Sequence, residues 1–404
     1  MIYNYIKIAV RNLLKQKGLT FINVIGLSIG LACFSLFLLY AVNEFSFDRF
    51  HKKADRTYRM YRWTAPMSGK EPEGDIYLPM PLGPAIKADF PEVEQVVRIR
   101  EDWGEELVRT DDNIHHLGIS FADPEFFQVF DFPLLYGDSS TALLEQNSLV
   151  ITEKTALQLF GESNPTGRTL EIKYGENYVP FKVTAVAKNL PVNSTMVFEL
   201  LGNFQYWENR PENAGRKNSW NHSAYQTFVQ LRPGSGLAND AERLLQFRRK
   251  YYPNEENELR ELGYWKGGDA PVRYGMQPLR DMHTNMKIVG GDVPPTDPEH
   301  IWILLAIAGG VLLIACINFT TLAIGRSARR AREVGVRKVV GSSRVQLVGQ
   351  FLTEAMLLVA ISAVLGVVLG QTLLPYFNDL SGRELVFSIK MYPEIGWLTG
   401  GLVL

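Results

Sequence analysis

The sequence predicts an α-helical membrane bundle carrying one large α+β domain outside the cytoplasm. Three observations predict it. The apolar residues are gathered into long uncharged runs. The basic residues cluster beside those runs. A stretch of 256 polar, aromatic-rich residues, 44–299, separates the first run from the second. Bulk figures conceal this pattern: 46% of residues are hydrophobic, the formal net charge is −1, and the mean hydropathy is near zero. By segment, residues 1–43 carry four basic residues and no acid, and residues 325–350 carry seven and one. Residues 44–299 carry 29 basic and 38 acidic residues. Charge sorted in this way is a topology signal and does not point to nucleic acid.

The chain opens on a helical stripe. Ile2, Tyr5, Ile6, Ala9, Val10, Leu13 and Leu14 follow i, i+3, i+4, i+7 spacing, with Lys7, Arg11 and Lys15 opposite. This predicts an amphipathic helix over 1–18 that lies along the cytoplasmic membrane surface or against other helices there, ended by Gly18. Leu19–Val42 follows without a charge, and roughly 20 apolar residues span a bilayer core. The run is too long for the apolar part of a signal peptide and no A-x-A site follows, so it reads as a retained signal-anchor. Ile301–Ile324 and Met356–Leu374 predict the second and third spans. Ile395–Leu404 starts a fourth that ten residues cannot complete, so the sequence reads as a piece of a longer protein. Gly26/Gly30 and Gly366/Gly370 have the small-xxx-small spacing of helix-packing seams, although ordinary membrane glycines show it too. Asn23 and Asn318 lie inside spans and are expected to face other helices, because an unpaired amide in lipid is costly. The two cysteines, Cys33 and Cys316, both sit in apolar runs, so no disulfide framework holds the domain between them.

Orientation follows from the basic residues at the span ends. Lys7, Arg11, Lys15 and Lys17 precede the first span. Arg326, Arg329, Arg330, Arg332, Arg337, Lys338 and Arg344 lie between the second and third, and only Arg383 and Lys390 follow the third. The N-terminus and the 325–350 loop are therefore expected in the cytoplasm, with 44–299 and 376–394 outside.

Within the outside domain, helices are expected at Phe47–Ala54 and Pro81–Asp89, and at Pro124–Phe130 with Asp123 as N-cap. Strands are expected at Thr57–Trp63, Val93–Ile99 and Leu117–Ala122. A second block has strand Ser148–Ile151, helix Thr152–Phe160 capped by Thr152, a turn at Gly161–Gly167, and strands Thr169–Lys173 and Phe181–Ala187. Strand Tyr225–Leu231 and helix Ala238–Tyr251 then return to the first pattern. The reading is one α/β subdomain (44–137 and 223–299) interrupted by a smaller β-rich insertion at 138–222.

No catalytic constellation is visible. Gly161 and Gly167 are one residue too far apart for a phosphate loop, and Arg168 stands where that loop needs lysine. His115 and His116 are adjacent, so a strand would point them to opposite faces, and no cysteine or acidic cluster joins them.

The loop after the second span reads as a short basic helix, a break at Gly341, and a new helix with a capping box at Ser343 and Gln346. Val334, Val336, Val339 and Val340 are embedded among the charges. A purely topogenic charge run needs no apolar face, so this loop is expected to dock onto something in the cytoplasm.

These residues carry a resemblance. Arg332–Ser342, followed by Gln350-Phe-Leu-Thr-Glu354, resembles the coupling region of FtsX/MacB-type ABC transporter permeases. Residues 8–18 are similar to the opening of that family, and 122–138 and 148–161 to its periplasmic domain. The resemblance implies a permease and mechanotransmission subunit that dimerises, or pairs with a second permease half. It implies a separate ATPase that binds ATP and Mg, so that this chain holds no cofactor or metal and has no catalytic residue. Arg332, Glu333, Val334, Gly335, Val336, Arg337, Lys338 and Gly341 would then seat in the ATPase. The two parts of the outside domain would be the porter (44–137, 223–299) and the sabre (138–222). The implied setting is the bacterial inner membrane, with lipid around the spans and a periplasmic or outer-membrane partner. The alternative reading is a membrane-anchored sensor or receptor without ATP coupling. The substrate is not written in the sequence.

Overall fold

The computed structural model describes residues 2–65, 73–101, 104–110, 113–268, 270–329, 331–340 and 343–387. The expected fourth span, Gly341 and the side chains of Arg332, Glu333 and Arg337 lie outside the described residues. The chain forms two compact units, one built from residues up to 45 and from 298 onward, the other from 46–297.

In chain order the elements begin with α1 (Ile2–Lys15) and α2 (Lys17–Phe45). Then come β1 (Thr57–Thr64), β2 (Glu73–Asp75), β3 (Leu78–Pro79), α3 (Leu82–Asp89), β4 (Val93–Arg100), β5 (Glu105–Thr110), β6 (Asn113–Ala122) and α4 (Phe126–Val129). β7 (Leu134–Tyr136), β8 (Ser148–Thr152), α5 (Glu153–Phe160), β9 (Thr169–Tyr174), β10 (Asn177–Ala187), β11 (Leu200–Asn203) and α6 (Phe204–Glu208) follow. β12 (Ser223–Leu231), α7 (Ala241–Tyr251), α8 (Glu255–Glu261), β13 (Val272–Pro278) and β14 (Ile288–Val289) complete the second unit. The chain returns to the first unit with α9 (Pro298–Arg329), α10 (Ala331–Val339) and α11 (Arg344–Ser381).

Among the described residues three helices, α2, most of α9, and α11, are long and apolar enough to cross a membrane. The break between α1 and α2 falls at Gln16, not at the expected Gly18, which lies inside α2. At the break the Gln16 N–H (3.3 Å) and the Thr20 hydroxyl (3.1 Å) both donate to the Leu13 carbonyl. Ser343 caps α11 by accepting from the Gln346 N–H (3.3 Å), and the Gln346 side chain accepts from the Ser343 N–H (3.1 Å). Gly382, at φ +64°, ends α11 in the left-handed region where glycine carries no Cβ penalty.

The second unit is built on a twisted sheet in the order β11-β8-β10-β9-β5-β6-β4-β12-β1-β2-β14, with β13 paired to β1, β3 to β12 and β7 to β10. β8–β10, β6–β11 and β2–β14 run parallel, and the other pairs are antiparallel. The hairpin β5–β6 lies on the near side of the boundary expected at 138. Even so, β5 pairs with β9, β6 with β11 and β7 with β10, so strand pairing crosses that boundary at three places. An aromatic-rich core around Phe126, Phe130, Phe198 and Phe228 lies within this unit. Two further cores surround Phe121, Phe181 and Tyr225, and Met60, Ile86 and Phe247.

Two local expectations fail here. Residues 47–54 are turns leading into a 3₁₀ turn at Ala54–Arg56 rather than a helix. Asp48 sits at φ +56°, which a right-handed helix does not allow, and its carboxylate is drawn to Thr195 instead. Asp123 does not cap α4, whose N-cap is Glu125; Arg98 takes its carboxylate.

Candidate functional site

The candidate docking segment is α10, the turn after it, and the start of α11. Val334, Gly335, Val336 and Lys338 lie on α10 together with Arg332, Glu333 and Arg337. Val336 is exposed, and Val339, Val340 and Val345 are 89%, 82% and 81% exposed. Valines at that exposure, interleaved with lysine and arginine, form an apolar patch that no described residue covers.

The segment rests on a braced base. Ala9 and Leu13 are buried on α1. The Asn12 side-chain amide donates to the Glu354 carboxylate of α11 (2.6 Å), which also accepts from Gln350 (3.5 Å). Further along, the Ser28 hydroxyl donates to the Val24 carbonyl (2.6 Å) and reaches the Ser362 carbonyl of α11 (3.0 Å). At the far end, Arg383 donates to both oxygens of the buried Glu44 carboxylate (2.8 and 3.1 Å). Phe37 and Tyr40 meet the Phe377 ring edge-on there. Thus α11 is pinned to α1 near its start and to α2 in its middle, and the residue pair Glu44–Arg383 joins the end of α2 to the chain just past α11. Asn12, Glu354, Glu44 and Arg383 were missing from the sequence-derived site. Their signal is polarity at the ends of apolar helices, but nothing local pairs residues more than 330 positions apart.

The four seam glycines differ. A Cβ at Gly366 would stand 3.1 Å from both Leu31 Cβ and the Ser28 carbonyl oxygen, and one at Gly30 would stand 2.9 Å from Ala315 Cβ of α9. At Gly26 the nearest atom is 3.7 Å away, on Asn318, and at Gly370 it is 3.5 Å away, on Phe387. Gly366→Val should therefore force α2 and α11 apart and cost about 1–3 kcal/mol as overpacking, whereas Gly26→Ala should be neutral. Thermal unfolding of the full chain in detergent checks this pair. Equal melting temperatures for the two variants would remove Gly366 as a packing point.

In the second unit the remaining sequence candidates resolve into structural roles. Gly161, at φ +68°, closes α5, and Arg168 pairs with Glu162 across the turn (3.0 Å). His116 lies 3.8 Å from Glu105, and among the described residues no group of three His, Cys, Asp or Glu side chains is placed to hold a metal ion. Where this unit's chain begins and ends, side chains form a clasp. The Asp48 carboxylate accepts from the Thr195 N–H (3.0 Å) and hydroxyl (2.6 Å). Asn193 donates to Ser46 (2.9 Å to Oγ), and Phe47 stacks on His283 with ring centroids 3.5 Å apart. His51 Nδ1 accepts from the Asp131 N–H (2.9 Å). Close by is a buried polar group of Arg59, Gln226, Gln277 and Glu101. Gln277 accepts from Arg59 Nη2 (2.8 Å), and Gln226 donates to Glu101.

The model of the MacB-like periplasmic core domain matches residues 20–247, and that of the FtsX-like permease C-terminal region matches 305–404. The chain belongs to the FtsX/MacB-type family of ABC transporter permeases. It is 23% identical over 310 residues to the macrolide export ATP-binding/permease protein MacB of a Shewanella species, covering 76% of this chain and 41% of that protein. It is 22% identical over 257 residues to the ABC transporter permease YknZ of Bacillus subtilis, covering 63% of this chain and 54% of YknZ. The chain thus spans about half or less of the length of these relatives. A solved permease-protein domain from Porphyromonas gingivalis aligns with TM-score 0.47 at 22% identity, covering 63% of this chain and 98% of that one.

Proposed function

We propose that this chain is the permease and mechanotransmission subunit of an ABC system whose ATP and Mg are bound by a separate ATPase. The carrying observation is the exposed valine patch set among basic residues on the braced α10–α11 segment. In this reading the patch seats in the ATPase in the cytoplasm, with α1 beside it. ATP-driven closure pushes the segment, and the pinned α2–α11 pair moves as one lever. The domain of residues 46–297 lies outside the cytoplasm of a bacterial inner membrane and carries the motion to a substrate or partner there. A second permease copy or half completes the assembly.

The test is association with the ATPase. Val339→Asp with Val340→Asp alters two solvent-facing side chains, so the protein should stay folded and monodisperse. Losing an apolar anchor at an interface costs about 2 kcal/mol or more, roughly 30-fold in affinity. ATPase recovered with the tagged full-length chain, and its ATP hydrolysis in the complex, should fall accordingly. Arg337→Glu with Gly341→Pro should act the same way through charge and backbone. Full association and ATP-dependent function in both double variants would end the docking role of this segment.

A further inference from the structure

Asn23 lies on α2, six residues past Lys17, and is 1% exposed. Among the described residues neither its amide nitrogen nor its oxygen has a hydrogen-bond partner. Such a group within apolar surroundings is costly and is retained where something pairs it. It faces a half-open cavity of about 480 Å³ between α2, α9 and α11. The walls are apolar, with Phe319, Ala323, Phe351 and Leu358 among them, and Glu354 brings a carboxylate to the cavity. Thr320, the remaining polar residue in the wall, spends its hydroxyl on the Cys316 carbonyl (2.8 Å).

Size, depth and charge narrow the occupant. A space of this volume suits a small ligand or one acyl chain with its attachment. Six residues of helix place Asn23 about 9 Å in from the start of α2, four residues past Leu19, where the uncharged run begins. An amide needs both an acceptor and a donor to be satisfied. A carboxylate in the wall favours a cation with N–H groups and disfavours an anionic headgroup.

We propose that this cavity binds one aminophospholipid molecule of the phosphatidylethanolamine type. Its ammonium group points to Glu354 and to the Asn23 oxygen, its glycerol ester carbonyl accepts from the Asn23 amide, and an acyl chain runs along Phe319, Ala323 and Phe351. A choline headgroup fills the same volume but has no N–H to give.

The probes are dioleoyl phosphatidylethanolamine, phosphatidylcholine and phosphatidylglycerol, added singly to the delipidated full chain in mild detergent and counted by native mass spectrometry. One hydrogen bond to a charged group corresponds to roughly tenfold discrimination, so wild type should retain one ethanolamine lipid about tenfold more tightly than the choline lipid. Glu354→Gln keeps an acceptor for Asn12 and should reduce that preference to near unity. Asn23→Leu should weaken both lipids. Leu352→Trp enlarges an exposed wall residue without touching a polar group and should block both. Circular dichroism and monodispersity show that each variant folds. Equal retention of the three lipids by wild type, preference for phosphatidylglycerol, or unchanged ethanolamine retention in Asn23→Leu would overturn the proposal. So would disulfide crosslinking of Leu352→Cys to a second copy, which would make the occupant a protein. None of these readouts depends on ATPase docking.

Discussion

Asp123→Ala is expected to destabilise the unit of residues 46–297 by about 3–5 kcal/mol, the cost of stripping one partner from a buried ion pair. Arg98 on β4 gives Asp123 three hydrogen bonds: Nε at 3.0 Å, Nη2 at 2.9 Å and its backbone N–H at 2.7 Å. Its Nη1 reaches Glu208 of α6 at 3.1 Å, and its guanidinium lies 4.3 Å from the centre of the Phe204 ring. The arginine therefore ties β4, the end of β6 and α6 together, with little of its side chain exposed. Without Asp123 the cation stays buried with one carboxylate instead of two. Arg98→Met combined with Asp123→Ala and Glu208→Gln should recover much of the loss, because no uncompensated charge is then left in the core. Urea unfolding of the two variants beside wild type measures both terms. A loss below about 1 kcal/mol for Asp123→Ala would mean that Glu208 alone suffices.

The second large effect is a pair of opposed pH dependences in one turn. Burial pushes the Asp48 carboxyl up to about 6, against the Thr195 hydrogen bonds and the charges of His283 and Arg59, which pull it down. Burial pushes His51 down to about 4, only partly offset by the Asp131 carboxylate. The Asp131 N–H reinforces this, since only a neutral imidazole nitrogen can accept it. For Asp48 the folded pKa exceeds the unfolded one. Its contribution is therefore full below about pH 4 and is lost as pH rises to 6. For His51 the folded pKa is depressed. Its contribution is full above about pH 6.5 and is lost as pH falls to 4. Each is worth about 3 kcal/mol at roughly 1.4 kcal/mol per unit. Glu101, also raised by burial, adds to the Asp48 slope. Relative to wild type, Asp48→Asn should gain stability as pH rises from 4 to 6. His51→Gln should gain it as pH falls from 6.5 to 4. Chemical unfolding of residues 46–297 across that range gives the two difference curves. Parallel curves, or flat ones, would show that these groups are not buried as described.

The sequence and the structure agree where one physical signal dominates. The spans were legible because an uncharged run of 20 or more residues has few other uses. Thr152 as a helix cap was legible because the cap bond is local, from the Thr155 N–H to the Thr152 hydroxyl. β5 was not legible. Its segment, Glu105–Thr110, is half charged, and it sits between β6 and β9 with Arg109 paired to Glu171 of β9. The ion pair across strands does the work that alternating apolar residues would otherwise announce. The turn at 47–54 was misread because Phe47, Phe50, His51 and Ala54 have helical spacing, while the feature that forbids a helix, the grip of Thr195 on Asp48, comes from 147 residues away. The docking valines were visible in the sequence. The brace beneath them was not, since Asn12 and Glu354 are separated by 342 positions.

That separation has a consequence for how the chain is made. Glu44 and Arg383 stand 339 residues apart, and the whole second unit is translated between them. At about 5–20 residues per second, α2 is synthesised roughly 20–70 seconds before the arginine that neutralises its terminal carboxylate. Throughout that interval Glu44, Ser28 and Asn12 lack their partners on and just past α11. A holding factor at the insertion site, or transient hydration of the helix ends, must cover them until α11 arrives. Chains cut by premature termination between residues 330 and 343 should therefore be degraded quickly, even though α2 and α9 are complete.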